Sequence, residues 1–282
     1  MKSSNYIGSC SLLAAIVFLA GCTNFSKNDV STTAPSVLNP RLIPEIKASF
    51  YKRDINGCFI LHDMENDTSI IYNQKRSKQQ FLPASTYKIL NSLIAMECKV
   101  VKDENEIIYW DSLKHPVAIW NQSHNMKTGI KYSVVWFYQE LARRIGEERM
   151  QYWVNRAGYG NQQIGQNIDD FWLVGDLKIT PLEQVEFLKQ LVNEELPFTS
   201  ENIKKVKEMI IEDEHDGYVF RAKTGWADFG IPVGWYIGYI EIKDHTYIFV
   251  NNIEIRSNQD AKARKEITRE IFNAIFDIDL NI

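Results

Sequence analysis

The chain has 282 residues, 45% hydrophobic and 24% charged, with 32 Lys and Arg set against 36 Asp and Glu for a formal net charge of −4. That composition can bury a sizeable core and suits one large domain or two tightly joined lobes. The mildly acidic balance and the scatter of its basic residues argue against a nucleic-acid partner, which needs a basic patch.

After a short polar start containing Lys2, the run from Leu12 to Leu19 is apolar, too short to span a membrane, and has the form of a secretory signal. Its end, Leu19-Ala20-Gly21-Cys22, resembles the lipobox of bacterial lipoproteins, in which cleavage precedes a cysteine that receives lipid. Residues 1–21 are then a signal peptide, Cys22 is the lipidated first residue, and the product is exported and held to a bacterial membrane facing the periplasm or the cell surface. Thr23 follows in place of Asp, which by analogy with lipoprotein sorting favours the outer membrane where the host has one. Residues 22–40, with their Ser, Thr, Asn and Pro, read as a flexible tether, and 41–282 as the folded domain.

Within the domain, Cys58 to His62 and Ser69 to Tyr72 flank the turn-forming Glu65-Asn66-Asp67 and predict a hairpin. Helical patterns follow at about 86–98, 133–145, 147–157, 181–194 and 201–212. A second hairpin is expected from Gly234 to Ile242 and Thr246 to Ile253 around Lys243-Asp244-His245, and a last helix from about 262 to 276. Hairpins near both ends with helices between them predict an α+β fold: one antiparallel sheet built from the N- and C-terminal strands, flanked by helices, with an all-helical lobe inserted over roughly 90–200. The junction of the two lobes is the natural place for a site. Cys58 and Cys98 either pair in an oxidising compartment or remain buried thiols, since spacing alone does not decide. His62, His115, His124, His215 and His245 show no metal-ligand spacing and are expected on the surface or in loops.

Ser85-Thr86-Tyr87-Lys88 places a hydroxyl and an amine one helical turn apart, just after Pro83 and where an apolar run carries a helix onward. A serine is a poor nucleophile without a base in hydrogen-bond reach. Lys88 becomes such a base if apolar neighbours lower its pKa. The Ser-x-x-Lys spacing is weak by itself: Ser49-Phe50-Tyr51-Lys52 is a second copy. What separates Ser85 from Ser49 is company, namely Ser133-Val134-Val135, Tyr159-Gly160-Asn161 and Lys223-Thr224-Gly225, in that order.

With these motifs the chain resembles the serine β-lactamases and penicillin-binding proteins, whose signature includes Ser-x-x-Lys and Lys-Thr-Gly. Ser-x-Val, Tyr-Gly-Asn and Phe171-Trp172-Leu173 resemble class D, the oxacillinases, and the likeness runs from about residue 45 to the end. It implies hydrolysis of the β-lactam ring of penicillins and related antibiotics through an acyl-enzyme on Ser85, and hence β-lactam resistance. It also implies no metal and no resident cofactor. The resemblance further implies that carbon dioxide or bicarbonate carboxylates Lys88, which would then be the general base of both half-reactions. Trp172 would then hold the carbamate through its indole N–H, with Val135 and Leu173 as apolar enclosure. Ser133 would relay a proton to the departing nitrogen, oriented by Lys223. Thr224, Gly225, Trp226 and Arg264 would bind substrate, Arg264 through its carboxylate. The backbone N–H groups of Ser85 and Trp226 would form the oxyanion hole.

Three features depart from the family pattern or stay open. Trp136 follows Ser-x-Val where many members have proline. Some carbapenem-hydrolysing relatives roof the site with an aromatic and a methionine; the comparable positions here are Val117 and Asp228. Met126 is either a pocket wall or core filler. The alternative to an enzyme is a β-lactam sensor or a penicillin-binding protein that is acylated and does not turn over.

Overall fold

A computed structural model describes residues 38–282. The segment read as a signal peptide, Cys22 and most of the expected tether lie outside the described residues.

Among the described residues the sheet has six antiparallel strands: β1 (Gly57–Asp63), β2 (Thr68–Tyr72), β3 (Ile211–His215), β4 (Tyr218–Ala227), β5 (Val233–Ile242) and β6 (His245–Ile253). Their order is β2-β1-β6-β5-β4-β3, so the N-terminal hairpin joins the C-terminal strands along β1 and β6, with Ile60 opposite Val250. Both expected hairpins form. The connection from β5 to β6 is two residues, with Lys243 in the left-handed region at φ +54°.

The helices are α1 (Ile43–Tyr51), α2 (Gln74–Ser77), α3 (Lys88–Glu97), α4 (Met126–Lys131), α5 (Val135–Ile145), α6 (Glu147–Arg156), α7 (Pro181–Val192), α8 (Ser200–Met209) and α9 (Asn258–Phe276). Local chemistry sets several boundaries. Thr180 and Glu183 form a reciprocal capping box at the start of α7, with Pro181 at its first position, where no N–H is needed. Ser257 and Asp260 do the same for α9.

Helices cover both faces of the sheet, which is why β1 and most of β5 are buried along their length rather than alternating. One core lies between the sheet and the helical lobe, around Ile60, Leu93, Phe137, Leu188, Trp235 and Ile237. The other lies beneath α1 and α9, around Phe50, Phe59, Phe220, Phe249, Ile267 and Phe272.

Three expectations need correction. The segment read as a helix from 133 begins at Val135, and Ser133 sits in the junction before it at φ +55°. The helix read to 212 ends at Met209, and the next residues turn into the edge strand β3. His62 and His124 are buried rather than superficial: His62 lies within β1 beside Ser69, and His124 is held between Thr128 and the Ile119 carbonyl. Cys58 and Cys98 are free thiols, and burial pushes Cys58 up to about 12.

Candidate active site

Ser85 lies in a 3₁₀ turn, Ala84–Tyr87, that runs directly into α3. Side chains at i and i+3 eclipse in such a turn. The Lys88 Nζ accordingly lies 2.7 Å from Ser85 Oγ.

The turn is fastened on all sides. Phe81 and Ile179 exchange two backbone hydrogen bonds, at 3.0 and 2.8 Å, and the Ala84 N–H donates to the Trp172 carbonyl at 2.9 Å. Ala84 reaches that carbonyl at φ +50°, a conformation most residues avoid. Thr86 Oγ1 donates to the Pro83 carbonyl at 2.7 Å and accepts from Gln184 Nε2 of α7 at 2.9 Å. Trp235 of β5 closes the underside, its indole donating to the Leu82 carbonyl at 2.8 Å.

Lys88 is 0% exposed. Burial, and secondarily the charge of Lys223, lower its pKa well below the ordinary 10.5. The ring of Tyr138, 5.3 Å away, favours the cation. Such an attraction contributes about 0.5–2 kcal/mol, against several kcal/mol for removing an ammonium from water, so burial outweighs it and the balance shifts toward the neutral amine. Trp172 is fully buried and stacked at 5.5 Å on Tyr87, the residue before Lys88, and among the described residues its indole N–H has no acceptor. A buried donor left unpaired costs about 1–3 kcal/mol. Val135 and Leu173 are half-buried.

A second hydroxyl and amine meet across the lobes. Lys223 Nζ of β4 donates to Ser133 Oγ at 3.1 Å and to the Thr224 carbonyl at 3.0 Å. Burial pushes Lys223 down to about 7; Glu212 opposes this, and Arg264 and Lys265 add to it. The glycine of Lys-Thr-Gly is required by close approach. A Cβ on Gly225 would stand 3.0 Å from the Pro83 carbonyl and 3.1 Å from the Thr86 methyl, so β4 runs against the turn that carries Ser85 with no room between them.

Arg264 lies in the second turn of α9 and donates to the carbonyls of Gly225 and, at 2.8 Å, Ala261. Burial lowers it to about 10, which leaves it charged at neutral pH. Trp226 is 37% exposed, and its indole donates to Asp228. Ser85, Lys88, Ser133, Lys223, Gly225 and Arg264 are thus linked through the contacts of β4.

The comparisons with known proteins agree on one family. The penicillin-binding protein transpeptidase domain matches residues 52–276. Probable β-lactamase YbxI of Bacillus subtilis is 39% identical over 239 residues, 85% of this chain and 88% of that one. β-Lactamase OXA-48 of Klebsiella pneumoniae is 38% identical over 225 residues, 79% and 85% of the two chains. The crystal structure of the class D β-lactamase YbXI from Nostoc superposes with a TM-score of 0.80 at 43% identity, covering 82% of this chain and 98% of that one. The chain belongs to the class D β-lactamases.

In this class D β-lactamase several neighbours of the site had gone unassigned in the sequence. Asn161 accepts the Lys178 N–H at 3.0 Å and donates to the Asp176 carbonyl at 2.8 Å, closing the loop that carries Trp172. Gly160 is obligatory there: at φ +54° its Cβ would stand 2.2 Å from the Lys178 carbonyl oxygen. Gln184 joins Tyr159 to Thr86, a role that no local spacing signals.

Trp136 turns its indole N–H to the Trp120 carbonyl at 2.8 Å and packs beside His115 and His124, so its bulk anchors the segment before α4. Met126 is core. Val117 is exposed before a short 3₁₀ turn, and Asp228 is held by Trp226.

Proposed function

We propose that the protein hydrolyses the β-lactam ring of penicillins and related antibiotics through an acyl-enzyme on Ser85, and so confers resistance to them. The observation that carries the reading is Lys88: sealed from water, pushed toward the neutral amine, and in hydrogen-bond contact with Ser85 Oγ.

The orphaned, buried indole N–H of Trp172, whose ring stacks on Tyr87 next to Lys88 in the chain, suits a carboxylate acceptor. Carbon dioxide joined to the Lys88 amine as a carbamate supplies a carboxylate base there, and Trp172, with Val135 and Leu173 as apolar walls, would hold it. Ser85 Oγ gives up its proton toward Lys88 and attacks the lactam carbonyl carbon. The oxygen that gathers charge faces the backbone N–H groups of Ser85 and Trp226. As the ring C–N bond breaks, the Ser133 hydroxyl gives its proton to the nitrogen, and Lys223 replaces it. Thr224 and Arg264 take the ring carboxylate, where a planar guanidinium suits two oxygens. Water then releases the acyl group from Ser85, its proton leaving toward Lys88.

The deciding experiment follows a chromogenic cephalosporin and oxacillin with purified residues 23–282, with and without bicarbonate, and then weighs the protein intact. Sustained turnover that bicarbonate enhances supports the proposal. One stoichiometric burst ending in a stable Ser85 adduct makes the protein a sensor or a penicillin-binding protein. We also propose that Cys22 carries lipid and holds the domain at a bacterial membrane. Fatty-acid labelling of the full chain that persists in Cys22→Ala would remove that anchor.

A further inference from the structure

β3 accompanies β4 only to the pairing of Ile211 with Arg221, after which the Ala222 N–H reaches the Ile210 carbonyl. Where that pairing stops, a cavity of about 570 Å³ opens beside Lys223 and Thr224. Its other walls are α4 with Tyr132, the end of α8, and the start of β3; Ile130, Met209 and Ile211 contribute apolar surface. The volume lies in the range of small-molecule sites.

The charged lining is four lysines, Lys127, Lys131, Lys223 and Lys265, against Glu208 and Glu212. Both carboxylates are engaged: Glu212 takes Lys265 and the Tyr236 hydroxyl, and Glu208 lies 3.8 Å from Arg221. Lys127 lies 3.7 Å from Glu104. Among the described residues Lys131 forms no ion pair, and its ammonium stands 5.8 Å from the ring of Tyr132. The unbalanced charge of the cavity is therefore positive.

We propose that this cavity is a subsite for an anionic substituent on the carboxylate-bearing ring of a bicyclic β-lactam. The inference rests on the hydrolase reading, in which Thr224 and Arg264 hold the ring carboxylate. A group attached at the ring carbon next to the carboxylate-bearing one then points past Lys223 and Thr224 into this space. Apolar walls take its body, and Lys131 with Lys223 takes its charge. An anion here also favours the charged form of Lys223, which burial and the neighbouring cations oppose.

The test uses two cephalosporins with the same acyl side chain, one with an anionic aryl arm on the ring and one with an uncharged arm of similar size. Benzylpenicillin, which has no such arm, is the control. With the parent protein the anionic arm should lower KM by roughly two- to fivefold, the range of one exposed ion pair, and high salt should erase the gain. Lys131→Glu should reverse the preference and Lys131→Gln abolish it, with benzylpenicillin kinetics and the melting temperature unchanged. Lys127→Glu, on the neighbouring turn, should shift the preference in the same direction.

Equal KM values for the two arms, or variants that change both arms alike, overturn the subsite while benzylpenicillin turnover leaves the hydrolase reading standing. Loss of turnover for all three substrates in the parent overturns the hydrolase reading itself.

Discussion

Two serine–lysine pairs lie near enough for Lys223 to lower the pKa of Lys88, and they are built differently. Ser85 and Lys88 meet within a single turn at 2.7 Å, where the lysine is 0% exposed and no carboxylate shifts its pKa. Ser133 and Lys223 are 90 positions apart and meet at 3.1 Å only because α4, α5 and β4 converge. Lys223 is 5% exposed, and Glu212 supports its charge against burial and two neighbouring cations. The first lysine is pushed toward the neutral form, which the proposed role as a base would require. The second is balanced near neutrality, as a proton donor beside an anionic substrate requires. The surroundings, more than the Ser and Lys themselves, divide the labour.

The largest effect should come from removing the first amine. Lys88→Met should lower kcat/KM by about 10²–10⁴-fold, the usual worth of a positioned base. It should also raise the melting temperature, because it removes a buried group that is costly to charge. Since Lys88 titrates well below 10.5 in the fold, the unfolded chain holds its proton to higher pH. The stability gap between Lys88→Met and the parent should therefore be widest in acid, below the folded pKa, and close as pH rises toward 10.5. A parent that melts above the variant in acid would mean that Lys88 is paired in the fold.

Trp172→Phe keeps a stacking ring and deletes the orphaned N–H. If that donor holds a catalytic carboxylate on Lys88, deacylation should slow by about 5- to 150-fold, the equivalent of 1–3 kcal/mol, with acylation less affected. Bicarbonate at high concentration should recover part of the loss. Equal slowing of both steps, with no response to bicarbonate, would reduce Trp172 to a packing residue.

The second pair responds to pH rather than to deletion. With Lys223 at about 7 in the free enzyme, kcat/KM for an anionic substrate should decline above that pH as the ammonium is lost. Lys223→Arg should move the alkaline limb beyond the measurable range, because a guanidinium stays charged, and should lower the rate by about 10²-fold, because it cannot return the proton that Ser133 gives up. An unchanged alkaline limb in this variant would assign it to another group.

Much of this was legible in the sequence, and what was not has physical causes. Both hairpins were readable because their strands are β-branched and aromatic and their turns short. The Ser85 and Lys88 pair was readable because it is local. α4 escaped notice: six residues display no helical period, and what fixes it is the Asn125 and Thr128 capping box. β3 was absorbed into the preceding helix, since Glu212, Asp213 and Glu214 on a sheet edge show no apolar alternation. Ser133 read as helical because its apolar successors do, whereas its use requires the left-handed junction that turns it toward Lys223. The unpaired Trp172 donor and the cavity beyond Lys223 arise only when distant segments pack, and no spacing encodes them.

The smallest expected effect tests the rule that surroundings decide. Ser49 and Lys52 repeat the spacing of Ser85 and Lys88, but they lie at the end of α1, against α9. Lys52 is 54% exposed and bonded to Glu270 at 2.6 Å. Burial alone would raise Glu270, yet Arg53 and Lys52 hold it down at about 2 against an ordinary 4.5. A depressed carboxylate stabilises the fold above the unfolded pKa and loses that contribution as pH falls through the folded one. Lys52→Ala should therefore leave kcat/KM unchanged and cost no more than about 1 kcal/mol at neutral pH, as for other exposed pairs. That cost should shrink as pH drops from 4.5 toward 2, because the partner charge it serves is being titrated away. A kinetic defect in Lys52→Ala without a matching loss of stability would show that α1 influences the cleft through α9 and Arg264, and the three pairs would no longer divide by their surroundings alone.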